Sequence, residues 1–322
     1  MPIERRLIFP LLGAAAIGGP FRVFAQSSKL PRIGILVVAN SDAESLRREL
    51  RAGLNELGRV EERDFLFDFR AVPENQVAAA AVELTRLKVD VIVALNTICA
   101  LAAKAATREI PIVILSGDPV GTGLVASLAR PGGNITGISL VAAELFGKCV
   151  ELFHDLLSSA KRIAVLGNAL DAVFAKAMVG QVELVGRQLN IETQPIRLVQ
   201  NTSEIAEAFA AIKEARADAV IVQGSLSTKG IADLAIVHRL PTASGPQSFV
   251  NVGGLMTYGA HGPSTFRRTA VFVHKILNGG NPGELPVEQP TRFALALNLK
   301  TAKAIALTIP EPFLSRADMI VE

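Results

Sequence analysis

Short unbroken Val/Ile/Leu runs alternate with amphipathic stretches along this chain, and the series begins twice. "RIGILVV" (32–38) opens the first series and "RIAVLGN" (162–168) opens the second. In the first, strands are expected at "RIGILVV", "DFLFDFRAV", "VDVIVAL", "IPIVILS" and "NITGISL". Helices are expected through "AESLRRELRAGLNELG", "NQVAAAAVELTRLK", "TICALAAKAATRE" and "TGLVASLA". The second repeats the plan: a helix from Ala142 to Ser158, "RIAVLGN", a helix from Phe174 to Leu189, then "TQPIRLV", "SEIAEAFAAIKEAR", "ADAVIVQGS", a helix to Arg239 and a short strand at "LPTAS". Apolar strands separated by helices are buried on both faces, which dictates parallel sheets with helices on either side. The fold class is therefore α/β, with two Rossmann-like lobes. At 322 residues the chain also exceeds what a single core usually absorbs. It continues past the second series through "GGLMTYG", a helix from Ser264 to Leu277 and a closing segment, so neither lobe is expected to be one contiguous piece.

The N-terminus stands outside this pattern. Arg5 and Arg6 precede an apolar stretch from Leu7 to Gly19, which is too short to cross a bilayer. "VFA" then places Val23 and Ala25 as signal peptidase requires, so residues 1–25 read as a signal peptide and the mature chain as periplasmic. The arginine pair leaves both the general and the twin-arginine export routes open. Export permits a disulfide, but Cys99 and Cys149 both fall in helical patterns. Cys149 shares an apolar face with Leu145, Phe146, Leu152, Phe153 and Leu156 and reads as a buried free thiol, as does Cys99.

Composition excludes some functions. The formal net charge is only +3 and no basic run is long enough to track a phosphate backbone, so nucleic acid is not an expected partner. The four histidines, His154, His238, His261 and His274, lack carboxylate or cysteine pairings and read as surface or packing residues; no metal, cofactor or catalytic residue is expected. "GTGLVA" (121–126) matches a dinucleotide fingerprint, but it follows the fourth strand rather than the first, "SGDPV" intervenes, and Asp118 would repel a pyrophosphate. Its glycines read instead as turn residues around Asp118-Pro119, with Gly123 starting a helix and "RPGGN" turning into the next strand.

Ligands in open parallel sheets sit beyond the carboxyl ends of the strands. That rule selects Asn40, Ser41, Asn96, Thr97, Gly117, Asp118, Ser139, Asn168, Gln223 and Ser225 as candidate ligand-binding residues. Apart from Asp118 they are neutral, suited to hydrogen-bonding a small polar solute and not to catalysis. Free amides at the helix starts, one of them expected to be capped by Thr97, favour a carboxylate. With no Trp and with Tyr258 alone among tyrosines, the indole platforms of many sugar sites are missing. Tyr258 itself reads as interlobe packing.

The segments "GDPVGTGLVASLARPGGNITGIS", "RLKVDVIVA", "GGLMTYG", "FRRTAVFVHKILNGGNPGELPVEQPTRF" and "LNLKTAKAIALTIP" resemble the ABC-transporter substrate-binding family that includes tryptophan- and tyrosine-binding members. The resemblance covers nearly the whole mature chain in order. It implies a type I periplasmic-binding-protein fold with three crossovers, a ligand in the interlobe cleft, a membrane permease as partner and a monomer in solution. By that resemblance residues 30–141 and 254–282 make lobe 1, and 142–253 and 283–322 make lobe 2. Three loops depart from the family. Asn96-Thr97-Ile98 stands where Thr-Pro is usual, "GSLSTKG" is shorter than its counterpart, and Thr242-Ala243-Ser244 replaces a segment that begins with an aromatic. The expected ligand is a small carboxylate-bearing molecule, an amino acid or an aromatic acid. A repressor-type sensor of the same bilobal design would need an N-terminal helix-turn-helix, where this chain has a leader. An exported enzyme would need a nucleophile elbow, which "QGSLS" does not supply.

Overall fold

A computed structural model describes residues 29–39, 43–140 and 142–322. The leader, Asn40 and Ser41 lie outside those residues. The first series forms β1 (Arg32–Val38), α1 (Ala43–Glu56), β2 (Leu66–Val72), α2 (Val77–Arg86), β3 (Val91–Leu95), α3 (Thr97–Ala106), β4 (Ile112–Ser116) and β5 (Ile135–Ser139). These strands make an all-parallel five-stranded sheet in the order β2-β1-β3-β4-β5. The second begins with α4 (Ala142–Leu156), β6 (Ile163–Asn168), α5 (Ala172–Leu189), β7 (Ile196–Val199), α6 (Thr202–Glu214), β8 (Ala219–Val222), α7 (Lys229–Val237) and β9 (Thr242–Ser244). It continues through α8 (Ser248–Asn251), β10 (Met256–Ala260), α9 (Gly262–Leu277), β11 (Phe293–Asn298), α10 (Leu299–Ala304), α11 (Glu311–Leu314) and β12 (Met319–Val321). The second sheet has seven strands, β12-β11-β10-β9-β8-β6-β7, and is parallel except where β10 meets β11. Two α/β lobes with predominantly parallel sheets result.

Each central strand is buried along its whole length because helices cover both faces. On one face of the first sheet, Leu46, Leu50 and Leu54 of α1 pack with Phe266, Ala270 and Val273 of α9. On the other face lie Ala81 and Leu84 of α2 with Ala100 and Ala103 of α3. The second sheet carries Phe146, Phe153, Met178 and Val182 on one side and Phe209, Ile212, Ile231 and Ala235 on the other. Cys99 and Cys149 are buried, unpaired thiols, and burial pushes both up to about 12. Neither therefore offers a reactive thiolate.

Three expectations are corrected. No helix forms over "TGLVASLA". Gly117, Gly121, Gly123, Gly132 and Gly133, with Pro119 and Pro131, leave a segment too short and too glycine-rich to nucleate one. Turns anchored by Leu124 and Val125 in the core fill the space, and Lys104 Nζ donates to the Gly123 carbonyl. Gly123, at φ +69°, therefore sits in a turn and starts no helix.

The second correction concerns where the chain recrosses. β10 lies inside the 254–282 stretch expected in lobe 1, yet it pairs with β9 and β11 in the larger sheet. Only α9 returns to the first lobe. There it crosses α1 so closely that a Cβ on Gly53 would lie 2.6 Å from the Arg267 carbonyl oxygen, and Arg267 reaches Glu49 at 2.6 Å. The segment after α9 stays with the first lobe beyond residue 283: Leu285 and Val287 pack in its core and Glu288 bridges Ile138. The larger sheet regains the chain at β11. The strand pattern showed that the chain returned, but sheet pairing, not hydropathy, decides which strand goes where. Third, Tyr258 packs within the second lobe, stacked on Phe293 at 6.3 Å.

Candidate functional site

The carboxyl ends of both sheets face a cavity of about 580 Å³ between the lobes. From the first lobe come Asn96 and Thr97 at the start of α3, Gly117 after β4, part of α1 including Arg48, and Thr265 and Phe266 of α9. The second lobe contributes Phe146, Asp171 and Phe174, the turn at Gln223–Ser225, and the stretch 245–248. His261, where the chain crosses between lobes, also lines it.

Of the sequence candidates, Asn96, Thr97, Gly117, Gln223 and Ser225 line this cavity. Asn96 adopts φ +74°, a left-handed conformation unusual for a non-glycine residue. It gives α3 no side-chain cap. Thr97 does not cap α3 either. It is the first helical residue, buried, and its hydroxyl pairs with Ser116 Oγ at 3.1 Å. The start of α3 thus borders the cavity through Asn96 and Thr97 and has no side-chain cap from Asn96.

Gly117 has a steric purpose that the sequence did not reveal. A Cβ there would lie 2.4 Å from Phe174 Cε2, so the lobes approach only because position 117 carries no side chain. Phe174 meets Phe146 edge to face at 6.2 Å, and the two rings give the second lobe an aromatic wall.

Asn168, Gln223 and Ser225 come together as a network rather than as separate contacts. The Asn168 amide donates to Gln223 Oε1 at 2.7 Å, and Asn168 Nδ2 reaches Ser225 Oγ at 3.2 Å. That same Nδ2 crosses to the first lobe and donates to Glu74 Oε1 at 2.6 Å. Burial raises the Glu74 carboxyl above its ordinary range, and the Asn168 hydrogen bond offsets part of that. Gln223 Nε2 in turn donates to Asp171 Oδ2 at 3.3 Å.

Three of the described candidates do not line the cavity. Asn168 is buried within its network beside Gln223 and Ser225. Asp118 Oδ1 accepts from the Gly121 amide at 2.8 Å and so closes its own turn. Ser139 is buried at the end of β5, where its amide donates to the Glu288 carbonyl. Sequence reasoning missed Glu74, Phe146, Asp171, Phe174, Ser248 and His261. Glu74 and Asp171 do follow strand ends, β2 and β6, and the strand-end rule could have reached them. Ser248 Oγ is buried without a hydrogen-bond partner, and His261 caps α9 through Ser264 at its Nδ1. The aromatic pair carries no sequence signal distinct from core residues.

Residues 32–321 match the family model described as ABC transporter substrate binding protein. The chain belongs to that family. A relative from Clostridioides difficile (strain R20291), a tyrosine-binding protein, is 25% identical over 290 residues, 87% of this chain and 82% of the relative. Among solved structures, a conserved domain protein from Vibrio cholerae superposes with a TM-score of 0.83 at 26% identity, covering 91% of this chain and all of that one. A domain from Streptococcus pneumonia in complex with L-Trp gives 0.82 at 24% identity with the same coverage. A ligand-free, open substrate binding protein from Clostridium difficile gives 0.65 at 22%, over 91% of this chain and 99% of that one. The family's members are substrate-binding proteins, and this chain has their bilobal fold.

Proposed function

We propose that this chain is the extracytoplasmic solute-binding component of an ABC importer and that it captures a small carboxylate-bearing solute, an amino acid or an aromatic acid, by closing its lobes without transforming it. The observation that carries this reading is the interlobe cavity of about 580 Å³, walled by both lobes. That volume lies within the range of small-molecule sites, roughly 300–1,000 Å³. The uncapped start of α3 suits a carboxylate, and the Phe146–Phe174 wall suits an apolar or aromatic body.

Closure follows from the contacts that span the lobes. Phe174 against Gly117 and Asn168 against Glu74 exist only when the lobes are together. The higher TM-score to the L-Trp complex than to the open structure, 0.82 against 0.65 at similar coverage, supports reading the present arrangement as closed. A solute touching both lobes adds free energy to this form alone. Moving such an equilibrium from mostly open to mostly closed takes about 5 kcal/mol of differential binding. A permease that recognises the closed form then receives the cargo.

Native mass spectrometry of the mature protein from its own periplasm, followed by a thermal-shift screen of amino acids and aromatic acids, tests the reading. One bound molecule per chain and a raised melting temperature with a member of the screen are expected. Chemical alteration of that molecule on incubation, or no response to any member, contradicts it.

A further inference from the structure

Two carboxylates from opposite lobes converge on one hydrogen-bonded network. Glu74, between β2 and α2 in the first lobe, crosses the boundary to accept from Asn168 Nδ2 at 2.6 Å. Asp171, just ahead of α5 in the second lobe, accepts from the Phe174 amide and from Gln223 Nε2 at 3.3 Å. Gln223 Oε1 joins the two halves by accepting from the Asn168 amide at 2.7 Å. All these partners are neutral, and among the described residues no cation pairs with either carboxylate. Arg48 is held by Glu49 at 3.2 Å and by Ser45, and His261 by Ser264. Glu44 of α1 adds negative charge to the cavity, and Cys99 of α3, within reach of the Glu74 charge, is a neutral thiol.

Opening would return Glu74 to water and withdraw its charge from Asp171. Closing therefore does two things that ionised carboxylates resist: it buries Glu74 and brings a like charge towards Asp171. Both effects are visible in the closed arrangement. Burial raises the Glu74 carboxyl above its ordinary range despite the Asn168 bond. Burial, with the Glu74 charge added, pushes the Asp171 carboxyl up to about 6 against the opposing pull of the Phe174 amide and Gln223. One proton relieves the conflict, because a protonated Glu74 still accepts from Asn168 through its carbonyl oxygen and no longer repels Asp171. Resting on the reading of this cavity as one that closes around a solute, we propose that closing the lobes takes up a proton at the Glu74–Asp171 pair, so that acidification drives the solute-free protein towards its closed form.

A group that holds its proton more tightly in one form favours that form as pH falls, and the effect fades above that form's titration point. With Asp171 at about 6 when closed and an ordinary aspartate at about 3.9 when open, the closed-to-open ratio rises up to about tenfold between about pH 7.5 and about pH 5. Double electron–electron resonance on the full mature chain reads that ratio, with nitroxides on Val82→Cys in the first lobe and Val237→Cys in the second. Both positions are exposed, whereas Cys99 and Cys149 are buried. Without solute, the interlobe distance of the present structure should gain weight over longer distances as pH falls. Glu74→Gln keeps an acceptor for Asn168 without the charge, so it should show that shorter distance more strongly than the unsubstituted protein already at pH 7.5. Glu74→Gln combined with Asp171→Asn should give the same distribution throughout the interval.

Distances that do not move with pH in the unsubstituted protein, or that move as much in the double variant, overturn the inference. Histidines ordinarily titrate in this interval. His261 is retained in every variant, so a response arising there survives in the double variant. L-Trp, L-Tyr, L-Phe and L-Leu, each added at pH 7.5, keep the two readings apart. Shortening by any of them with no response to acid overturns proton uptake and leaves capture by closure standing. No shortening by acid or by any of the four overturns both. Circular dichroism establishes that the variants fold. If the double variant does not, whichever single variant folds must cut the acid response by at least half, and an undiminished response overturns the inference.

Discussion

The two lobes share a plan of parallel strands with helices on both faces, but they bring different chemistry to the gap between them. The first presents the open start of α3, Arg48 of α1 and a glycine where a side chain would block approach. The second presents two phenylalanine rings and a network that ends in the Asp171 carboxylate. The unlike surfaces explain why neither lobe makes a site alone. The lobe cores set stability. The meeting surfaces, where a few close contacts span the boundary, set binding.

The largest expected effect comes from spoiling the approach without touching either core. Gly117→Val places a branched side chain against the Phe174 ring. Overpacking of about 1–3 kcal/mol would fall on the closed form, lowering solute affinity roughly tenfold to hundredfold in calorimetric titration. Unchanged affinity would mean that Phe174 and Gly117 do not meet when solute is bound.

Asn168→Ala should come next. It removes the donor to Glu74 and Ser225 and the acceptor for the Leu170 amide. A loss of about 1–2 kcal/mol, shared between stability and affinity, is expected from denaturant unfolding and titration. If Glu74→Gln produced an additive loss in a double-mutant cycle with it, the Asn168–Glu74 bond across the lobes would not couple them.

Asp171→Asn should instead stabilise the solute-free protein. Its carboxyl is raised when folded, so the charged form costs stability above the unfolded value of about 3.9, and the cost is complete once pH exceeds about 6. The variant should melt about 2–4 °C higher near neutral pH, with the difference vanishing below about pH 4 in a calorimetric scan. A lower melting temperature at neutral pH would show that the carboxylate is compensated.

Asp118→Ala should have the smallest effect on binding, within about twofold, because its side chain closes its own turn at Gly121. Loss of that turn should still cost about 0.5–1 kcal/mol in unfolding measurements. A large affinity loss would return Asp118 to the site.

The lobes were legible because buried parallel strands leave an unmistakable apolar run, and the doubled "RIGILVV"/"RIAVLGN" opening shows that the plan occurs twice. The strand-end rule found Asn96, Thr97, Gly117, Gln223 and Ser225, because in a parallel sheet strand ends share one edge. It misplaced Asp118 and Ser139, whose polar groups are consumed locally by Gly121 and Glu288. Whether a polar strand-end residue faces the gap or its own turn depends on backbone direction, which composition does not encode. Glu74 and Asp171 matter because burial and the opposing lobe alter them, and that environment arises only on folding. β10 was assigned to the wrong lobe for a related reason: "MTYGA" is an ordinary strand whose partners, β9 and β11, are chosen by sheet order.

Small-angle X-ray scattering of the mature protein, with and without a saturating amino acid from the thermal-shift screen, tests lobe closure most directly. We expect the radius of gyration to contract on saturation in the unsubstituted protein and to stay expanded in Gly117→Val. Identical scattering profiles with and without bound solute would contradict capture by closure.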